Sequence, residues 1–137
     1  MRILGIDYGQ KRIGIAISDE MAIVATPVGT VEESGVNAAV AAIAKIVTER
    51  EVGKIIVGLP RNMDGSIGPK AQETLAFVEK LKTRSTVPIQ MWDERLTTKA
   101  AERAMIEADV SRKKRRENID KMAAQLILQS YLDSQSV

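Results

Sequence analysis

A chain of 137 residues, 45% hydrophobic and 28% charged, has the length and balance of one globular domain spanning residues 1–137. It holds no cysteine and no histidine, which excludes disulfides, thiolate and imidazole metal sites, and every nucleophile system that needs a histidine base. The formal net charge of +2 permits an anionic partner without demanding one.

Chemistry is left to carboxylates, hydroxyls, lysine and arginine, and carboxylates acting together select a hard cation, Mg²⁺ or Mn²⁺. The apolar runs are far too short to cross a bilayer, and the first residues lead into a strand without a signal-peptide pattern. No membrane partner and a cytoplasmic location are therefore expected.

Residues 2–19, RILGIDYGQKRIGIAISD, predict two strands joined by a tight turn. Ile3, Leu4 and Ile6 make the first apolar, Ile13, Ile15 and Ile17 alternate in the second, and Gly9 sits in the turn. Asp7 is anomalous, because a carboxylate in an apolar strand is costly unless a cation or hydrogen-bond donors compensate it. A third strand follows over 25–32, with Pro27 marking an edge or a strand start. Ser34 and Gly35 open a helix to about residue 50, with Val36, Ala39, Val40, Ile43, Ile46 and Val47 as its stripe, and Gly53 ends that segment.

Residues 54–60, KIIVGLP, form a continuous apolar run, as in a strand buried on both faces. The loop PRNMDGSIGP turns at Asp64 and Gly65, and Pro69 starts a helix to about residue 82 that buries Ala71, Leu75, Val78 and Leu81. A fifth strand spans 87–94, and Thr97 or Thr98 caps a short helix to about residue 108. Residues 109–116 read as a polar, basic connection, mobile in the free protein, since five successive cations cannot share one helix face. The last helix runs from about 117 to 133, with Ile119, Ala123, Leu126, Ile127 and Ser130 on one face.

A three-strand meander followed by βαβ units implies an α/β fold with one five-stranded mixed sheet and helices on both faces. Right-handed crossovers put strand four beside strand one and strand five beyond it, giving the order 3-2-1-4-5 with strand 2 antiparallel.

That order is the one found in ribonuclease H-like folds. The segments GIDYGQKRIGIAISD, GLPRNMDGS, WDERLTT and NIDKMAAQLILQSYLD together closely resemble the YqgF (RuvX) family, and the resemblance covers nearly the whole chain. It implies a nuclease that either matures the precursor of small-subunit (16S) ribosomal RNA or resolves Holliday junctions. It also implies three ligands of a catalytic divalent metal: Asp7 of GIDYG, Glu94 of DER, and Asp120, which begins the DxxAA pattern of the last helix. Without the resemblance, Asp120 is an ordinary solvated helix residue.

Spacing agrees with these expectations. With strand four between them, the Asp7 and Glu94 carboxylates are expected about 9–10 Å apart. Two Mg²⁺ ions about 4 Å apart, each about 2.1 Å from an end ligand, would span roughly 8 Å. The gap suits two metals, or one metal with bridging waters, in phosphodiester hydrolysis. Asp93 competes with Glu94, since one step along a strand changes the face.

Candidate nucleic-acid contacts are Lys11, Arg12, Arg61, Asn62, Arg95 and the run Arg112, Lys113, Lys114, Arg115 and Arg116. Each also has a plainer reading. The cations can be solvated surface charges, Arg95 a strand-end ion-pair partner, and Asn62 and Asp64 turn formers. Trp92 reads as core packing. The expected partner is ribosomal RNA precursor or branched DNA, with the protein a monomer or weak homodimer; symmetric cutting of a four-way junction would need the dimer. Two other functions fit parts of the pattern. ATP phosphotransfer on a related strand-turn-strand needs two clasping domains, and the chain has room for one. A non-catalytic RNA- or ribosome-binding module would keep the same fold and acidic cluster.

Overall fold

The computed structural model describes residues 1–96 and 112–135, with 112–121 described as backbone only. The short helix expected after Thr97 or Thr98 lies outside the described residues. The elements are β1 (Arg2–Asp7), β2 (Ile13–Ser18), β3 (Ala25–Val31), α1 (Val36–Glu49), β4 (Val52–Leu59), α2 (Pro69–Arg84), β5 (Ile89–Asp93), a 3₁₀ turn (Glu94–Leu96) and α3 (Arg112–Gln135). The strands form one sheet in the order β3-β2-β1-β4-β5. β2 is antiparallel to β1 and β3, while β1, β4 and β5 run parallel. This is the order that right-handed crossovers dictate.

Alternation along the strands sorts side chains to two cores. Leu4, Ile6, Ile55 and Val57 pack under α1 and α2 with Ile43, Val47, Phe77 and Leu81. Ile3, Ala16 and Ile56 pack under α3 with Ala124, Ile127, Leu128, Tyr131 and Leu132. β4 is covered on both sides, which is why its sequence is apolar without alternation. No helix among the described residues is long and apolar enough to cross a membrane.

Helix α3 lies antiparallel to β1 and β4. The Lys54 Nζ, near the start of β4, donates to the Tyr131 hydroxyl at 2.7 Å. Further along, a Cβ on Gly5 would stand 2.7 Å from Leu128 Cβ and 3.1 Å from the Ala124 carbonyl oxygen. Glycine at that position lets the helix settle on the sheet, and its N-terminal turns run towards the C-terminal ends of the strands.

Four local expectations are corrected. α2 buries Thr74 and Phe77, and Leu75 is 37% exposed, because the face is set by the bulk of Phe77, whose ring stacks on Tyr8 at 4.5 Å. α3 buries Ala124, Ile127, Leu128, Tyr131 and Leu132, so its stripe is turned by one residue from Ala123 and Leu126, towards its bulkiest side chains. The turn after α1 is made by Glu51 at φ 54, and Gly53 lies inside β4. The basic run 112–116 belongs to the first turns of α3 and is not a connection.

Candidate active site

Asp7 closes β1 on the same face as Ile3 and Gly5, the face that α3 covers. On β4 that face carries Ile56 and then Gly58; on β5 it carries Trp92, with Glu94 next in parity just beyond the strand. Gly58 pairs with Trp92 in the ladder, so it lies between the two carboxylate-bearing strands. A Cβ there would stand 2.8 Å from Glu94 Cγ and 3.2 Å from Glu94 Cδ. The missing side chain is the channel through which Glu94 crosses β4. Its carboxyl meets Asp7 in a hydrogen bond, so the separation of about 9–10 Å expected from strand spacing is corrected to direct contact.

Burial raises the Glu94 pKa above the ordinary glutamate value. The Asp7 hydrogen bond and the Lys70 charge oppose that rise, and the Asp93 charge adds to it. Lys70 escaped the sequence reading. It is the second residue of α2, behind the Gly68 cap and Pro69, and nothing in a lysine at a helix start marks it. The available signal was positional: the loop leaving β4 delivers α2 to the same sheet edge as Asp7 and Glu94.

Asp93 has the opposite parity and a different occupation. Arg95 Nε donates to both of its carboxylate oxygens, at 3.1 and 3.0 Å, and Nη2 donates to Oδ2 at 2.6 Å. The Arg95 side-chain bond holds the Asp93 pKa below the usual aspartate range. The same guanidinium lies over Gly65 and reaches the Met63 carbonyl at 3.5 Å, tying the β4–α2 loop to the end of β5.

That loop is internally bonded. Asp64 Oδ1 accepts from the Ser66 amide at 2.9 Å and its hydroxyl at 2.6 Å, and Asn62 Nδ2 donates to Ser66 Oγ at 3.0 Å. Arg61 Nη1 donates to the Gly65 carbonyl at 3.4 Å. Asn62 and Asp64 therefore build the turn, and Arg95 is engaged by Asp93. Trp92 packs as expected: its Nε1 donates to Ser130 Oγ at 3.2 Å and its ring meets Tyr131 edge-on at 5.6 Å.

Lys11 and Arg12 lie exposed in the β1–β2 turn, with Arg12 Nε 4.0 Å from Glu32 Oε1. Asp120 is in α3, four residues before Ala124, and the run from Arg112 to Arg116 precedes it; their side chains lie outside the description. Among the described residues no three acidic groups form a metal-holding set. Asp7 and Glu94 form a pair.

Known proteins resemble this chain along its whole length. A family model described as "RuvX: Holliday junction resolvase" matches residues 1–134. A protein of Thermoanaerobacter pseudethanolicus, provisionally named a pre-16S rRNA nuclease, is 54% identical over 136 residues, covering 98% of each chain. One of Listeria innocua with the same provisional name is 52% identical, over 98% of this chain and 99% of that one. Among solved structures, Thermus thermophilus RuvC in complex with a Holliday junction substrate shares the fold at a TM-score of 0.61 and 17% identity, covering 100% of this chain and 98% of that one. The fowlpox virus Holliday junction resolvase does so at 0.56 and 16%, over 98% and 99%. The four motifs, the 3-2-1-4-5 sheet and this end-to-end agreement have one reading: the chain belongs to the RuvX family, a family of nucleases.

Proposed function

We propose that the protein hydrolyses phosphodiester bonds in the precursor of 16S ribosomal RNA, with Asp7, Glu94 and Asp120 holding a divalent cation, Mg²⁺ or Mn²⁺. The observation that carries this reading is the meeting of two carboxyls, Asp7 and Glu94, across a glycine at the C-terminal edge of a mixed sheet. Two carboxyls packed together repel when both are ionised, and a shared cation relieves that repulsion. The donors are all hard oxygens, which suits Mg²⁺ and Mn²⁺. When bound, the cation supplies an acidified water and positive charge for the leaving oxygen.

The chain's own residues do the rest. Gly58 lets Glu94 lie beside Asp7. Arg95 occupies Asp93 and so keeps the neighbouring acid from competing for the cation. Lys70 presents positive charge on the Glu94 side, where a substrate phosphate would approach. The antiparallel course of α3 runs its early turns, and Asp120 with them, towards the same edge. The choice of RNA precursor follows the names of relatives more than 50% identical to this chain.

The test is cleavage of a 16S precursor fragment and of a four-way DNA junction, with and without Mg²⁺, by wild type and Asp7→Asn. The variant is expected to fold, to cleave neither substrate, and to lose the rise in melting temperature that Mg²⁺ gives the wild type by binding the native state. Metal-free and above the raised Glu94 pKa, it should be no less stable than wild type, because one of two facing charges is gone. Wild-type cleavage by Asp7→Asn, or no thermal shift with either metal at millimolar concentration, overturns the assignment. Cleavage of the junction alone moves the substrate to branched DNA, and intact binding without cleavage of either makes the protein a non-catalytic module.

A further inference from the structure

A cleft of about 270 Å³ opens at the same sheet edge, on the face opposite to Asp7 and Glu94, between the β1–β2 turn and the start of α1. Its floor is apolar and aromatic: Tyr8, Ile13 and Val36. Its polar groups are Gln10, Lys11 and Glu33. Two of the walls are fixed. The Tyr8 ring is stacked on Phe77, and Gln10 Nε2 is bonded to Glu73 Oε1 of α2 at 2.9 Å. Lys11 and Glu33 are different, since neither is held by a hydrogen bond or ion pair among the described residues. The cleft therefore presents one cation and one carboxylate, both ready for a ligand, above an apolar floor.

We propose that this cleft receives one unpaired guanine of the substrate strand, read by Glu33 and Lys11. The volume falls just under the range of about 300–1,000 Å³ typical of small-molecule pockets, which suits one nucleoside. A carboxylate only accepts hydrogen bonds. Guanine alone among the four bases carries two adjacent donors, N1–H and the N2 amino group, on its pairing edge, with the acceptor O6 beside them. Glu33 takes the two donors and Lys11 donates to O6. Adenine and cytosine offer a single amino donor next to a ring acceptor, and uracil sets one donor between two carbonyls. The base must be unpaired, because its pairing edge is the edge that is read; recognition of splayed bases in this way is the common mode for RNA. Tyr8 directly follows Asp7 and points to the other face of the same strand end, so a nucleic-acid strand draped over the edge can reach both places.

This inference rests on the nuclease reading, and its test separates the two. Binding of GMP, AMP, CMP and UMP to the metal-free full chain is measured by isothermal titration calorimetry, which reads the cleft without any cleavage. GMP is expected to bind about tenfold tighter than the other three. Glu33→Gln replaces one acceptor with a donor that opposes guanine, and should erase the preference; Glu33 is exposed, so the variant should melt as wild type does. Lys11→Ala should weaken GMP most. On an RNA substrate, replacing the unpaired guanines near the cut one at a time with inosine, which lacks the N2 amino group, should at one position raise KM and leave kcat nearly unchanged. Equal binding of all four nucleotides, no binding, or a GMP preference that survives Glu33→Gln overturns the cleft assignment while leaving the nuclease reading intact. GMP binding by a protein that cleaves nothing would do the reverse.

Discussion

Gly58 decides whether the two acids meet. An alanine methyl there would have to share space with Ile127 Cδ1 at 2.5 Å and Glu94 Cγ at 2.8 Å. Overpacking of that kind costs about 1–3 kcal/mol. Both neighbours must give way, and any movement of Glu94 away from the new methyl pushes it off Asp7. Gly58→Ala should therefore lose cleavage far out of proportion to its lowered melting temperature, and comparison of the two measurements checks this. A second prediction concerns Glu94 itself. Its raised pKa means that the metal-free native state holds a proton which the unfolded chain has released, across the window from the ordinary glutamate value up to the raised one. The contribution is complete below that window and is lost as pH rises through it. Glu94→Gln should remove this fall, so that melting temperatures of metal-free wild type and variant diverge as pH increases; parallel curves would contradict it. Asp93 acts oppositely, since its lowered pKa contributes stability that is lost as pH falls. At this scale Asp7 was legible, because a charge in an apolar strand stands out. The choice between Asp93 and Glu94 was not, because the strand ends between them and a 3₁₀ turn sets the second acid's direction.

Among the elements, strand order came through from the alternation of patterns and the handedness of crossovers, which need no side-chain detail. Helix phase did not. Two stripes were displaced, that of α3 by about one residue, because bulk at Phe77 and Tyr131 outweighs a simple count of apolar positions. The basic run shows the same limit: its composition reads as a solvated connection, yet it continues α3 towards the chain's start. Helical geometry spreads consecutive residues about 100° apart, so the five cations cannot all meet one row of phosphates. Replacing Lys113, Lys114 and Arg115 with alanine should flatten the dependence of log K on log salt by about one to two units. Affinity should fall alike for all sequences, since phosphate contacts position without reading bases. An unchanged slope would assign the run to solvent and return attention to Lys11, Arg12 and Arg61. The Arg95 clamp between β5 and the β4–α2 loop was beyond sequence reading, as it joins residues 32 apart through a backbone carbonyl.

Taken whole, the molecule gathers the residues of the proposed site at one edge: the ends of β1, β4 and β5, the loop that follows β4, and the first turns of α2 and α3. The far side of the sheet has another character. β3 is an outer strand, and its ladder with β2 slips between Ile15 and Ala16, which pair with Gly29 and Pro27. Val28 is the surplus residue, 39% exposed, next to a proline that offers no amide hydrogen. A straight outer strand would welcome a neighbour's strand and lengthen the sheet from molecule to molecule. This one is interrupted in register and carries a proline with no amide hydrogen to give, so copies of the protein crowded together on one nucleic acid find a poorer seam along β3 by which to fuse. Pro27→Val with Val28 deleted would close that slip in register, and sedimentation should then show concentration-dependent association beyond that of the wild type; unchanged sedimentation would mean that the slip serves the turn alone.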